Sequence, residues 1–138
     1  SGNPALAEAA KHQFLSFLLD LSVNSAIHAD NGGHDYIEES LRYMQEKIRR
    51  KLSLEDICAH LGLNTSYFIR LFRRHLGTAP MKYFMALKIN AACNLLDHTE
   101  MSIADIAGYL GFSEEFYFSR TFKKLKGLPP SHYRRKVG

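Results

Sequence analysis

The stretch from Leu52 to Tyr133 contains one pattern twice, and a duplicated unit constrains the fold more tightly than any bulk property of the chain. Leu52-Ser-Leu-Glu-Asp-Ile-Cys-Ala-His-Leu-Gly62 aligns with Met101-Ser-Ile-Ala-Asp-Ile-Ala-Gly-Tyr-Leu-Gly111 at an offset of 49. Ser53/Ser102, Asp56/Asp105, Ile57/Ile106, Leu61/Leu110 and Gly62/Gly111 are identical. One extra residue enters the turn of the second copy, and the offset becomes 50. Tyr67/Tyr117, Phe68/Phe118, Arg70/Arg120, Phe72/Phe122, Gly77/Gly127, Pro80/Pro130 and Tyr83/Tyr133 then match. Caps, glycines and aromatics in the same order twice do not arise by chance.

Each copy carries the same local instructions. A serine caps a short helix, and an aspartate three residues on completes the capping box (Ser53/Asp56, Ser102/Asp105). Leu54, Ile57 and Leu61 face inward, as do Ile103, Ile106 and Leu110. A glycine in the left-handed conformation ends the helix, Gly62 or Gly111, and a new cap follows within two residues, Asn64 or Ser113. The second helix ends at Gly77 or Gly127, and its inner face is Phe68, Leu71 and Phe72 in one copy and Phe118, Thr121, Phe122 and Leu125 in the other. Two short helices joined by a glycine turn make a helix-turn-helix. Between the copies, Met81 to Asp97 reads as a longer helix carrying Phe84, Leu87, Ala91, Leu95 and Leu96.

Upstream, Asn3-Pro4 opens a helix to about Leu21 whose apolar face includes Phe14, Phe17 and Leu18. It either packs on the core or belongs to a further domain or a dimer interface. Asn24 to Asp35, with Asp30-Asn31-Gly32-Gly33, has turn chemistry and no period. A helix from about Tyr36 to Arg50 follows, with Asp35 and Glu38 as its capping box and Ile37, Leu41, Met44 and Ile48 as its stripe. The expected organisation is therefore all-α: an N-terminal helix (1–22), a flexible loop (23–35), a first helix-turn-helix subdomain (36–80), a linker helix (81–97) and a second helix-turn-helix subdomain (98–138). The chain opens Ser1-Gly2 without methionine, which reads as a cleavage scar on a fragment of a larger protein.

Charge separates the two halves. Residues 1–50 hold 5 Lys+Arg against 7 Asp+Glu, while residues 51–138 hold 13 against 7. The basic half suits a polyanionic partner, although a solvated face gives the same count. The outer faces decide between them. Ser66, Ile69, Arg70 and Arg73 lie outside on the second helix of the first unit. Glu115, Phe116, Ser119, Arg120 and Lys123 lie outside on that of the second. An α-helix fits the major groove, and its outward side chains reach base edges there. Arginine is the commonest base reader, and Arg70 and Arg120 hold equivalent positions. Ser66, Ile69, Arg70, Arg73, Glu115, Phe116, Ser119 and Arg120 are the base-contact candidates. Arg74, Lys123, Lys124, Lys126, Arg134 and Arg135 are the phosphate-contact candidates.

Other chemistries find little support. The 7 histidines show no metal-ligand spacing, and Cys58 and His60 point to different faces. Neither Cys58 nor Cys93 sits in a nucleophile pattern, and no phosphate-cradling glycine loop occurs. The two cysteines read as small core residues in a reducing compartment. No signal peptide is expected, and no apolar run of about 18 residues that could span a membrane occurs in this sequence. No catalysis, metal or cofactor is expected. The rival to DNA binding is a helical protein-interaction adaptor, which accounts for the helices but not for matching outward arginines.

From about Tyr36 to Arg135 the sequence resembles the DNA-binding domain of the AraC/XylS family of bacterial transcription regulators. The likeness is strongest at Gly111-Phe112-Ser-Glu-Glu-Phe-Tyr-Phe-Ser-Arg-Thr-Phe-Lys-Lys124 and Gly127-Leu-Pro-Pro-Ser-His-Tyr-Arg134. The resemblance implies two helix-turn-helix subdomains on one linker helix, with a sensor or oligomerisation domain elsewhere in the full protein. It implies double-stranded promoter DNA and RNA polymerase as partners, a cytoplasmic, nucleoid-associated location, and a homodimer formed through a missing domain or the N-terminal helix. Lys88 departs from the usual arginine, Glu114 from a common aspartate and Phe116 from the usual serine. Phe116 either touches a thymine methyl in the groove or packs beside Tyr117.

Overall fold

A computed structural model of the chain describes residues 31–137, with side chains described from 33 to 134. The N-terminal helix expected over Asn3–Leu21 and the loop start at Asn24 lie outside the described residues. Seven helices and no strand occur among the described residues: α1 (Asn31–Glu46), α2 (Leu54–Leu61), α3 (Thr65–Leu76), α4 (Pro80–His98), α5 (Ile103–Tyr109), α6 (Glu115–Lys126) and α7 (Pro130–Val137).

Two cores are strung on α4. Ile37 and Met44 of α1, Ile57 of α2, and Phe68 and Phe72 of α3 close the first around Phe84 of α4. Ile106 of α5 and Phe118 and Phe122 of α6 close the second around Ile89, Ala92 and Leu96 of the same helix. Because α4 serves both, it is buried on more than one side and lacks the single stripe of a surface helix. The duplication reappears as geometry. Phe68, Phe72 and Tyr83 form an edge-to-face series with ring centroids 5.6 Å apart at each step. Phe118, Phe122 and Tyr133 repeat it at 6.0 and 5.6 Å. Truncating one of these fully buried phenylalanines to alanine costs about 3–5 kcal/mol.

The local signals act largely as read. Ser53 and Asp56 close a full capping box, each backbone N–H donating 3.0 Å to the other's side chain. Ser102 accepts from the Asp105 N–H at 3.0 Å, a cap without the return bond that completes the first box. Gly62 takes φ 72°, which lets its N–H reach the Cys58 carbonyl and turn the chain into α3.

Four expectations need correction. Helix α1 starts at Asn31, not near Tyr36, so residues 31–35 are helix and Asp35 lies within it instead of capping it. Gly33 is buried one turn before Ile37 on the same face, and His34 pairs with Glu38 at 3.2 Å. In a first turn, where the amides lack partners anyway, two glycines cost only about 1 kcal/mol each. The same helix ends at Glu46, and residues 47–49 continue as turns. The cap of α6 is Glu114, not Ser113, because the extra residue of the second turn shifts the start, and its side chain makes no capping bond. Leu125, expected inside, is 42% exposed. It has the right helical phase but lies in the last turn of α6, beyond the end of the core.

Candidate nucleic-acid interface

The two turns present α3 and α6 by their outer faces. Asn64 accepts from the Tyr67 N–H at 2.8 Å and starts α3, and Phe68, Leu71 and Phe72 seat it in the core. That seating leaves Ser66, Arg70 and Arg73 exposed and Ile69 half-buried. On α6, Phe118 and Phe122 seat the helix, leaving Glu115, Phe116, Arg120 and Lys123 exposed and Ser119 half-buried. Phe116 is 69% exposed and the Arg120 guanidinium lies 5.6 Å from its ring centroid. Tyr117 leans on Phe112 at 5.8 Å. On α3, Arg70 stands 5.9 Å from the Tyr67 ring. Both paired arginines thus leave the protein beside an aromatic ring, which orients them at little entropic cost.

Basic groups gather at the other ends of these helices. Arg73, Arg74 and His75 occupy the last turn of α3, and Lys123, Lys124 and Lys126 that of α6. They oppose the negative end of each helix dipole, while Glu115 sits at the positive end of α6. Lys126 also donates to Asn90 Oδ1 at 2.8 Å. Arg134 does not join this group. Its guanidinium donates to the carbonyls of Leu96 at 3.3 Å, Met101 at 2.6 Å and Thr99 at 3.1 Å, closing the C-terminal end of α4. Its sequence neighbourhood is basic, but its side chain turns inward to carbonyls that only the folded chain brings together. The Arg135 side chain lies outside the described ones.

Lys88, Arg49 and His60, none of them a candidate for DNA contact, make structural contacts of their own. Lys88 is 4% exposed and donates to the carbonyls of Ile48 at 2.7 Å, Arg50 at 2.8 Å and Leu110. Burial lowers its pKa from the ordinary 10.5 to about 8. A signal existed: Pro80, Phe84, Lys88, Ala92 and Leu96 form a row at four-residue spacing, and all are buried. One charge in an otherwise apolar row marks an internal partner. The Arg49 guanidinium lies 3.8 Å over the Tyr109 ring. His60 stacks on Tyr43 at 3.9 Å and contacts Glu39 at 2.6 Å, pinning α2 to α1. The hydrogen bonds from Arg42 and His60 hold the Glu39 carboxyl below its usual range.

Among the described residues, no three His, Cys, Asp or Glu side chains converge as metal ligands, and no helix is long and apolar enough to cross a membrane. Burial pushes both cysteine thiols up, which disfavours the thiolate.

The family model described as a helix-turn-helix domain matches residues 57–136. The chain is 38% identical over 95 residues to the MmsAB operon regulatory protein of Pseudomonas aeruginosa, covering 69% of this chain and 31% of that relative. The chain spans about a third of the length of the curated relatives it matches. Among solved structures, a transcriptional regulator from Chromobacterium violaceum, described as containing an AraC-type DNA-binding domain, superposes with a TM-score of 0.71. It is 32% identical, with 78% of this chain and 96% of that one covered. The C-terminal domain of AraT, a response regulator from Geobacillus stearothermophilus, gives a TM-score of 0.71 at 29% identity, covering 73% and 84%. With its duplicated units, its shared linker helix and these likenesses together, the chain belongs to the helix-turn-helix family of AraC/XylS-type transcription regulators.

Proposed function

We propose that this chain binds double-stranded DNA sequence-specifically, with α3 and α6 entering successive major grooves about 34 Å apart on one face of the duplex. The observation that carries this reading is the equivalent, outward placement of Arg70 and Arg120 on the second helices of two duplicated units. Arg70 and Arg120 are the principal base readers, with Ser66, Ile69, Arg73, Glu115, Phe116 and Ser119 beside them. Arg74, Lys123, Lys124, Lys126 and Arg135 are the phosphate anchors, and Arg134 is withdrawn from that set. The likeness to operon regulators supports promoter DNA and RNA polymerase as partners of the whole protein, a cytoplasmic location, and self-association through residues beyond this domain. The chain acts by binding, not by catalysis, and both cysteines serve the cores.

The test starts from selection of binding sites out of a random duplex pool, followed by footprinting. The expected footprint has two protected major-groove patches about one helical turn apart. Arg70→Ala and Arg120→Ala should each cost about 1–3 kcal/mol, and each should relax base preference in a different patch. One patch per monomer overturns the two-groove geometry. Failure to enrich any duplex overturns DNA binding and returns the chain to the adaptor class.

A further inference from the structure

The two units meet at a joint built around one side chain. Lys88 sits in the middle of α4, between Phe84 of the first core and Ile89 of the second. Its ammonium donates to Ile48 and Arg50 in the turn that ends α1, and to Leu110, the C-terminal cap of α5. Ile48 and Arg50 belong to the chain just beyond α1 of the first unit and Leu110 caps α5 of the second, so a single cation is held by both units. Three donors meet three acceptors, and no carboxylate takes part. Around this point the backbones touch. A Cβ on Gly111, whose φ is 84°, would lie 2.9 Å from the Arg49 carbonyl oxygen and 2.9 Å from the Arg50 carbonyl carbon. Outside it, Arg49 stacks on Tyr109 and its Nε reaches the Tyr109 carbonyl at 3.4 Å. Beside the joint the units leave a cleft of about 460 Å³ lined by Leu52, Met81, Met85, Phe112 and Tyr117. Side-chain packing leaves this space open, while α4 and the joint link the two units.

We propose that Lys88 is a positioning residue that sets the spacing and rotation at which α3 and α6 meet DNA, with Arg49 as the outer half of the same joint. The inference rests on the DNA-binding reading above. A rigid joint makes the protein a gauge. Moving one half-site by two base pairs turns it about 70° around the duplex, out of reach of a helix held fixed. A loosened joint lets the second helix follow.

The experiment measures affinity for selected duplexes whose two halves are moved apart or together by one and two base pairs. The wild type should lose at least about 30-fold at two base pairs. Lys88→Met keeps the length and removes all three donors. It should bind the best duplex more weakly and flatten the profile to within about 5-fold, and Lys88→Arg should restore the sharp optimum. A Lys88→Met profile as sharp as the wild type overturns the proposal. Should Lys88→Met fail to fold, Arg49→Ala decides, since Arg49 is exposed and outside both cores. It should broaden the profile, and an unchanged profile overturns the proposal. A second readout needs no DNA. Nitroxides on Ala59→Cys and Ala104→Cys, both exposed sites, report the distance between the units, while the buried native cysteines stay unlabelled. A narrow wild-type distribution that widens in Lys88→Met supports the joint, and equal widths overturn it. If the wild type selects no duplex, the DNA reading fails, and this distance measurement judges the joint alone.

Discussion

Phe116 shows how much a single outward side chain can be asked to explain. Its ring is 69% exposed and has no hydrogen-bonding group, so burying it on binding is favourable only against an apolar surface. In a major groove that surface is a thymine methyl. The ring also lies 5.6 Å from the Arg120 guanidinium and restricts where that arginine can point. Phe116→Ser should therefore remove a preference for thymine at one position and broaden the base preference of Arg120 beside it. Stability should stay within about 0.5 kcal/mol, because an exposed ring outside the core supports little of the fold. Binding-site selection together with a urea melt checks both halves. An unchanged preference with a lowered melting midpoint would show that the ring is packing after all. The direction of this side chain was legible from the seating of Phe118 and Phe122. The roles of Lys88 and Arg134 were not. Their partners are carbonyls on other elements, and no local pattern records where a helix end will lie in space.

At the scale of elements, most of the fold could be read because each unit states its own boundaries. Ser53, Asn64 and Ser102 cap, and Gly62, Gly77 and Gly127 end helices where the sequence places them. The start of α1 was hidden because Gly32-Gly33 carries a turn's composition in a place where a helix also tolerates it. The start of α6 was hidden by one inserted residue, and the two units now differ at that point. The Asn64 side-chain oxygen accepts the Tyr67 N–H at the start of α3, whereas Glu114 makes no capping bond to α6. The asymmetry can be tested from both sides. Asn64→Ala should destabilise by about 1 kcal/mol through loss of its cap. Glu114→Asp, which places the carboxylate one methylene nearer the free amides, should stabilise by about 0.5–1 kcal/mol. Urea midpoints at constant slope measure both. A Glu114→Asp midpoint at or below that of the wild type would mean that the second turn cannot bring a short side chain onto the amides.

The whole molecule is a basic surface with some of its charge turned inward, and that distinction changes what salt should do. Residues 51–138 carry 13 Lys+Arg against 7 Asp+Glu, but Lys88 and Arg134 hold backbone carbonyls. A count from sequence alone makes every cation a potential phosphate contact. Arg74, Lys123, Lys124, Lys126 and Arg135 remain as the proposed anchors. Each phosphate neutralised releases condensed counterions and contributes about −0.9 to the slope of log affinity against log salt, so five anchors give a slope of about −4.5. Replacing one anchor and one internal cation separates the two populations. Lys124→Ala should flatten the slope by about one unit and weaken specific and unrelated duplexes alike, with no change in melting. Arg134→Ala should leave the slope where it was and lower the melting temperature, because three carbonyls at the end of α4 lose their donors. Titrations at four salt concentrations on one selected and one unrelated duplex give both slopes. If Arg134→Ala flattens the slope as Lys124→Ala does, its guanidinium leaves the carbonyls when DNA arrives, and Arg134 returns to the phosphate-binding set.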